Sequence, residues 1–199
     1  MNQILYINAC VRENSRTHRL ARFFLGKLEG TVDEVRLSHE TLHSLDAALL
    51  AKRDKCIKRR TYDDPMFDHA KRFASADLIV VAAPYWDLSF PAILKIYLES
   101  ICVDGITYRY DRGTPMGLCR AKRLVYITTS GGIIDYDLGY NYVKTLSRIF
   151  FGINETVRFS AEDLDFGDAS VEILMNEVKA KMERYLMRAY DLRLKMLPQ

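Results

Sequence analysis

The sequence predicts a three-layer α/β fold built on a five-stranded parallel sheet. Three observations predict it. Two short runs, LIVVAA at 78–83 and LVYITT at 124–129, are apolar throughout, the mark of strands covered on both faces. Strand-like and helix-like patterns alternate along the chain, which calls for right-handed crossovers between parallel strands. The segment after the first strand is polar and the one after 124–129 carries a glycine pair, as connecting loops do.

The elements follow in order. Gln3 to Asn8 reads QILYIN and makes the first strand. After a polar stretch at 12–16, Leu20, Phe23, Phe24 and Leu28 recur at helical spacing, and Ser15 or Thr17 supplies the N-cap. A second strand fits 32–37. Leu45, Ala48, Leu49 and Ala51 suggest a helix with a basic far side, and Asp63-Asp64-Pro65 a turn before the next helix. Residues 38–73 otherwise carry the weakest pattern. The run at 78–83 is the third strand, ended by Pro84, and Pro91 suits the first turn of a helix over 92–102. Residues 104–110, DGITYRY, read as a short strand or hairpin arm. A fourth strand at 124–129, a helix at 142–150, a fifth strand at 156–160 and an amphipathic helix at 171–186 complete the chain. Five core strands suit the doubly wound order 2-1-3-4-5, in one domain spanning residues 1–199.

Composition excludes several function classes. A net charge of +3, from 29 Lys+Arg against 26 Asp+Glu, is too balanced for a nucleic-acid partner. With 49% hydrophobic residues the chain can fill a core, so disorder is excluded. There is no apolar run of bilayer-spanning length and no signal-peptide pattern. The four cysteines make no C-x-x-C pair and have no histidine at ligand spacing. A cytoplasmic protein with free thiols, no metal and no membrane insertion is therefore expected. The basic cluster Lys52, Arg53, Lys55, Lys58, Arg59 and Arg60 reads as a solvated helix face. The sharper reading is a docking patch for a phosphorylated ligand such as NADPH.

In doubly wound sheets ligands bind beyond the carboxyl ends of the strands. Three loops leave those ends. The first, NACVRENSRTH at 8–18, offers the hydroxyls of Ser15 and Thr17, the guanidinium of Arg12 or Arg16, and helix N-terminal amides. Those groups suit a phosphate monoester, and a plain helix cap is an equal reading. It carries neither G-x-x-x-x-G-K-[ST] nor G-x-G-x-x-G. The second, PYWDLSFP at 84–91, places two aromatic residues and an acid beside a strand end. Tyr85 and Trp86 can wall a planar ring, or simply cover the sheet. The third, TTSGGIIDYD at 128–137, has adjacent glycines that admit a close backbone approach to a ligand, or make a tight turn.

Together, PYWDLSFPAILKIYLE, the following GITYRY and the glycine pair after the next strand resemble the FMN-dependent azoreductases and NAD(P)H:quinone oxidoreductases, a flavodoxin-like family. The resemblance implies that Cys10, Ser15, Arg16 and Thr17 take positions that bind the FMN phosphate. It implies that Pro84, Tyr85, Trp86, Asp87 and Leu88 run beside the isoalloxazine ring. Thr129, Ser130, Gly131 and Gly132 take the positions that reach its pyrimidine edge. It also implies a homodimer, NADH or NADPH as electron donor, and a small-molecule quinone, azo compound or related electrophile as acceptor, reduced by ping-pong two-electron transfer. The family more often carries Asn at the position of Asp87, often Arg at that of Ser130, and in some members His at that of Ile134. A carboxylate at Asp87 accepts but cannot donate, and its charge disfavours an anionic reduced flavin. Proton delivery falls to water or a tyrosine, with Tyr108, Tyr136 and Tyr140 as candidates. The alternative function is a flavin-binding electron carrier or redox-responsive interaction protein with little turnover; carriers of the flavodoxin type tend to be smaller and acidic.

Overall fold

A computed structural model describes residues 2–167 and 169–195. In chain order the elements are β1 (Gln3–Asn8), α1 (Arg16–Leu25), β2 (Thr31–Arg36), α2 (Ala47–Arg59), α3 (Asp68–Ser75), β3 (Leu78–Ala82) and α4 (Ala92–Ile101). They continue with β4 (Tyr108–Asp111), β5 (Thr114–Gly117), β6 (Arg123–Thr129), α5 (Leu138–Leu146), β7 (Glu155–Ala161) and α6 (Val171–Lys195). The central sheet is parallel throughout, in the order β2-β1-β3-β6-β7. Counted among the core strands alone, this is the expected 2-1-3-4-5. β4 and β5 form a separate antiparallel hairpin.

Alternation along the strands divides the core into two layers. Leu5 and Ile7 of β1 face Phe73, Tyr97, Leu98 and Phe151 on one side of the sheet. Ile4 and Tyr6 face Leu20, Phe24, Met175 and Val178 on the other. Both faces of the central strands are covered, which is why those strands read as unbroken apolar runs.

α2 buries no residue, and its docking is polar. Arg53 donates to the carbonyls of Glu99 (3.1 Å) and Cys102 (2.5 Å), satisfying carbonyls that the end of α4 leaves open. Lys52 pairs with Asp64 at 2.6 Å. Two members of the basic cluster therefore hold the fold together, while Lys55, Lys58, Arg59 and Arg60 are exposed.

The structure moves the start of one helix and adds one strand. α5 begins at Leu138, earlier than the expected 142, because Asp137 caps it by accepting from the Tyr140 amide at 2.7 Å. Gly139 hides that start from a propensity reading. It is there for close packing: a Cβ would lie 3.0 Å from the Ser89 carbonyl carbon and 3.1 Å from the Phe90 ring. The helix then widens into a π turn over Ser147–Phe151. β5, with Pro115 and Gly117, gives no strand signal.

Parallel strands send every following loop to one edge. The loops after β1, β3, β6 and β7 gather at the carboxyl edge. The hairpin lies toward the amino edge, where the Arg120 amide donates to the Ala74 carbonyl, Arg120 pairs with Asp77 at 2.6 Å, and Gly117 packs on Gly152. Among the described residues no helix is long and apolar enough to cross a membrane.

Candidate functional site

The loop between β1 and α1 ends at Ser15, whose extended backbone and side-chain oxygen, accepting from the His18 amide at 3.3 Å, start the helix. The first amides of a helix have no acceptor within it, and the helix dipole adds partial positive charge there. An oxyanion is the natural complement. Thr17 is fully buried and shares a hydrogen bond with Thr129 (Oγ1 to Oγ1, 2.6 Å). Arg16 reaches Asp165 at 2.6 Å. Cys10 is buried, its amide held by the Asn8 side chain at 3.0 Å. Burial pushes its thiol up to about 11, so it is a neutral group at physiological pH.

The loop between β3 and α4 makes a two-residue turn. Trp86 and Ser89 exchange backbone hydrogen bonds of 3.0 and 2.8 Å across it. Both central residues have positive φ, Asp87 at 50° and Leu88 at 65°. Aspartate tolerates that conformation; leucine is strained there by about 1 kcal/mol or more. Leu88 is 52% exposed, so side-chain packing does not repay the strain. Its carbonyl instead accepts from the Leu138 amide at 3.1 Å, fixing the turn against α5. Strain held in place at a sheet edge marks a candidate ligand clamp.

The loop between β6 and α5 is braced from below. Ser130 is buried, and its hydroxyl donates to the Gly132 carbonyl at 2.5 Å. The amides of Asp163, Leu164 and Asp165 donate to Gly132, Ser130 and Gly131 in turn. A Cβ on Gly131 would lie 2.5 Å from the Asp165 carboxylate, so a side chain there would displace that carboxylate from Arg16. Glu162 accepts from the Ile134 amide at 2.9 Å and from Arg158 at 2.8 Å, and Arg158 also pairs with Asp137.

Thr129 ties the three loops together. Its hydroxyl meets Thr17, and its carbonyl accepts from the Tyr85 amide at 3.0 Å. The structure thus gathers at one edge the expected phosphate loop (Cys10, Ser15, Arg16, Thr17), the aromatic loop (Pro84, Tyr85, Trp86, Asp87, Leu88) and the glycine loop (Thr129, Ser130, Gly131, Gly132). Tyr136 belongs to this edge: it is 71% exposed, and its carbonyl accepts from the Tyr85 hydroxyl at 2.7 Å. Tyr108 does not. It lies on the hairpin, packed edge-on to Tyr110 and Phe150, and burial pushes its hydroxyl up to about 12. Tyr140 is tied to Thr156 of β7.

The sequence reading missed the loop at 162–167. It contributes Glu162, Asp165 and Phe166, which is 83% exposed. The signal was available: a loop after the last parallel strand must emerge at the same edge, and here it carries an apolar residue among acids. Among the described residues no cluster suited to a metal is present. The edge offers what a flavin mononucleotide needs: helix N-terminal amides and a hydroxyl for a phosphate, an exposed Trp86 and Leu88 for a planar ring, and backbone around Gly132 left open to a polar rim.

The sequence profile of the flavodoxin-like fold matches residues 2–186. An FMN-dependent NADH:quinone oxidoreductase of Clostridium acetobutylicum is 33% identical, the match covering 92% of this chain and 98% of that one. One from Clostridium perfringens is 34% identical over 89% and 94%. The crystal structure of an azoreductase from Bacillus anthracis superposes with a TM-score of 0.81 at 20% identity, covering 93% of this chain and 98% of that one.

Proposed function

Since the chain belongs to the flavodoxin-like family of FMN-dependent NADH:quinone oxidoreductases, we propose that it is a single-domain FMN-dependent NAD(P)H oxidoreductase that reduces quinones, azo compounds or related electrophiles. Bound FMN would supply the two-electron redox chemistry that links the nicotinamide donor to the acceptor.

The chain's own groups bind and orient. The amides at the start of α1, with Ser15 and Arg16, would hold the phosphate, and the neutral Cys10 thiol would line its seat without repelling it. Thr17 would act by fixing the loop to Thr129. The strained turn at Asp87 and Leu88 would set the ring against Tyr85 and Trp86. The loop of Thr129, Ser130, Gly131 and Gly132, braced by Asp165 and Glu162, would meet the polar rim. Tyr136 is the better placed of the proton-donor candidates, since Tyr108 lies on the hairpin toward the other edge. The exposed apolar residues Trp86, Leu88, Ile133, Leu138 and Phe166 suit a partner subunit over the flavin face, in keeping with a cytoplasmic homodimer.

The observation that carries this reading is the meeting of the three loops at Thr129. The test is an absorbance spectrum of protein loaded with FMN, followed by NADH without oxygen. Flavin bands that bleach, and return when a quinone is added, are expected. Bound flavin that neither NADH nor NADPH reduces would make the protein a carrier; no flavin binding would remove the site assignment.

A further inference from the structure

Beside the expected phosphate loop, on the β2 side of β1, lies a cavity of about 230 Å³ lined by Asn8, Cys10, Arg12, Glu13, His18 and Arg36. Cys10 belongs to the flavin assignment and Arg12 stands as an alternative to Arg16 there, whereas Asn8, Glu13, His18 and Arg36 have no part in it. The cavity is small for a nucleotide and ample for a small anion.

Among the described residues six arginines, Arg16, Arg19, Arg72, Arg120, Arg123 and Arg158, meet carboxylates, while others such as Arg22, Arg59, Arg60 and Arg109 meet none; what distinguishes this cavity is that two unpaired arginines share its lining. Among the described residues, Arg12 and Arg36 meet neither a carboxylate nor a carbonyl. The Nε of Arg36 is buried with no acceptor, which costs free energy unless something supplies one. The nearest acid on β2, Glu34, is engaged by the Asn8 amide group at 2.9 Å. His18 adds a donor. Its Nδ1 receives the buried Tyr6 hydroxyl at 2.8 Å and the Asn8 amide group at 3.1 Å, so the ring proton sits on Nε2. Glu13 is the one carboxylate that lines the space, and it imposes a further condition. It repels a fully ionised oxyanion but accepts from one that keeps a hydroxyl.

We propose that this cavity binds a small oxyanion bearing a hydroxyl, inorganic phosphate or a short phosphomonoester, at a seat separate from that of the flavin phosphate. Arg12 and Arg36 take the charged oxygens, His18 donates through Nε2, and Glu13 accepts from the P–OH. The proposal stands on these side chains and does not depend on the flavin reading.

The test is calorimetry with inorganic phosphate, glycerol phosphate and sulfate, in phosphate-free buffer, on protein with and without FMN. One phosphate per chain in both states is expected, bound more tightly than sulfate. Equal or tighter binding of glycerol phosphate makes the natural ligand a phosphomonoester; its exclusion makes it free phosphate. Arg36→Gln should weaken phosphate about tenfold or more, with flavin content and melting temperature unchanged, and Arg12→Gln on the exposed loop should weaken phosphate to a similar degree. Glu13→Gln should erase the preference over sulfate. Three results would overturn the proposal: no phosphate binding at millimolar concentration, binding indifferent to both arginine variants, or displacement of phosphate by FMN mole for mole, which would make the cavity the flavin's own seat.

Discussion

The two edges of the sheet are built on opposite plans. The amino edge is closed. Gly117 and Gly152 bring two backbones into contact, and the pairs Arg120–Asp77 and Arg123–Glu155 seal strand starts. The carboxyl edge is held open. Leu88 sits in a left-handed turn with half its surface exposed, Phe166 and Tyr136 stand in solvent, and the helix amides of α1 point outward. Backbone packing determines the first edge, while the second keeps strain and apolar exposure that a purely structural edge would lose. Substitutions should therefore have different effects at each.

The largest effect belongs to the amino edge. A Cβ at Gly117 would lie 2.0 Å from the Gly152 nitrogen and 2.1 Å from the Phe151 carbonyl carbon, both backbone. Gly117→Ala should cost on the order of 3 kcal/mol, read as a lowered urea midpoint. A midpoint equal to that of the parent would show that this edge is not close-packed.

At the carboxyl edge binding should suffer more than stability. Ser15→Ala with Thr17→Ala should weaken FMN about a hundredfold, measured by quenching of flavin fluorescence. The lost N-cap and the lost Thr17–Thr129 hydrogen bond should together lower stability by about 2 kcal/mol. Unchanged affinity in the folded double variant would remove the phosphate loop from the site. Leu88→Gly sharpens the contrast by moving the other way. Relief of the positive φ should raise stability by about 1 kcal/mol, while flavin retention falls as the turn loosens. A variant that lost stability would mean the turn is not strained.

The smallest effect is a pH dependence. Burial holds His18 below its ordinary value of 6.5, and His69 likewise. The unfolded chain therefore binds more protons than the folded one as pH falls through that value. Stability is complete above it and declines below it. Melting temperature should drop between pH 7 and pH 5.5, and His18→Gln should flatten part of that slope. An unchanged slope would mean that His18 takes up its proton without disturbing the bonds to Tyr6 and Asn8.

How much was legible depended on whether a signal was local. The strands β1, β3 and β6 announce themselves because burial on both faces demands apolar residues at every position. A cap at Ser15 or Thr17, which the structure assigns to Ser15, and the helix after Pro91 were legible because capping is chemistry between near neighbours. α5 was misplaced at its start because Gly139 answers to Ser89 and Phe90, residues distant in sequence. β5 was invisible because its Gly117 answers to Gly152. In the site, hydroxyls and glycines could be named but not their duties. Thr17 proved a buried tie to Thr129, and Arg16 a partner of Asp165, while the whole brace at 162–167 went unread.

The sequence alone determined the layers, the strand order and the edge at which the connecting loops gather, because hydrophobic periodicity and the handedness of crossovers are set residue by residue along the chain. Only the tertiary structure decided which hydroxyl faces a ligand and which faces another loop, which glycine is needed for contact, and which arginines are left without a partner. Those outcomes depend on pairs of residues brought together by folding, and no local pattern encodes them.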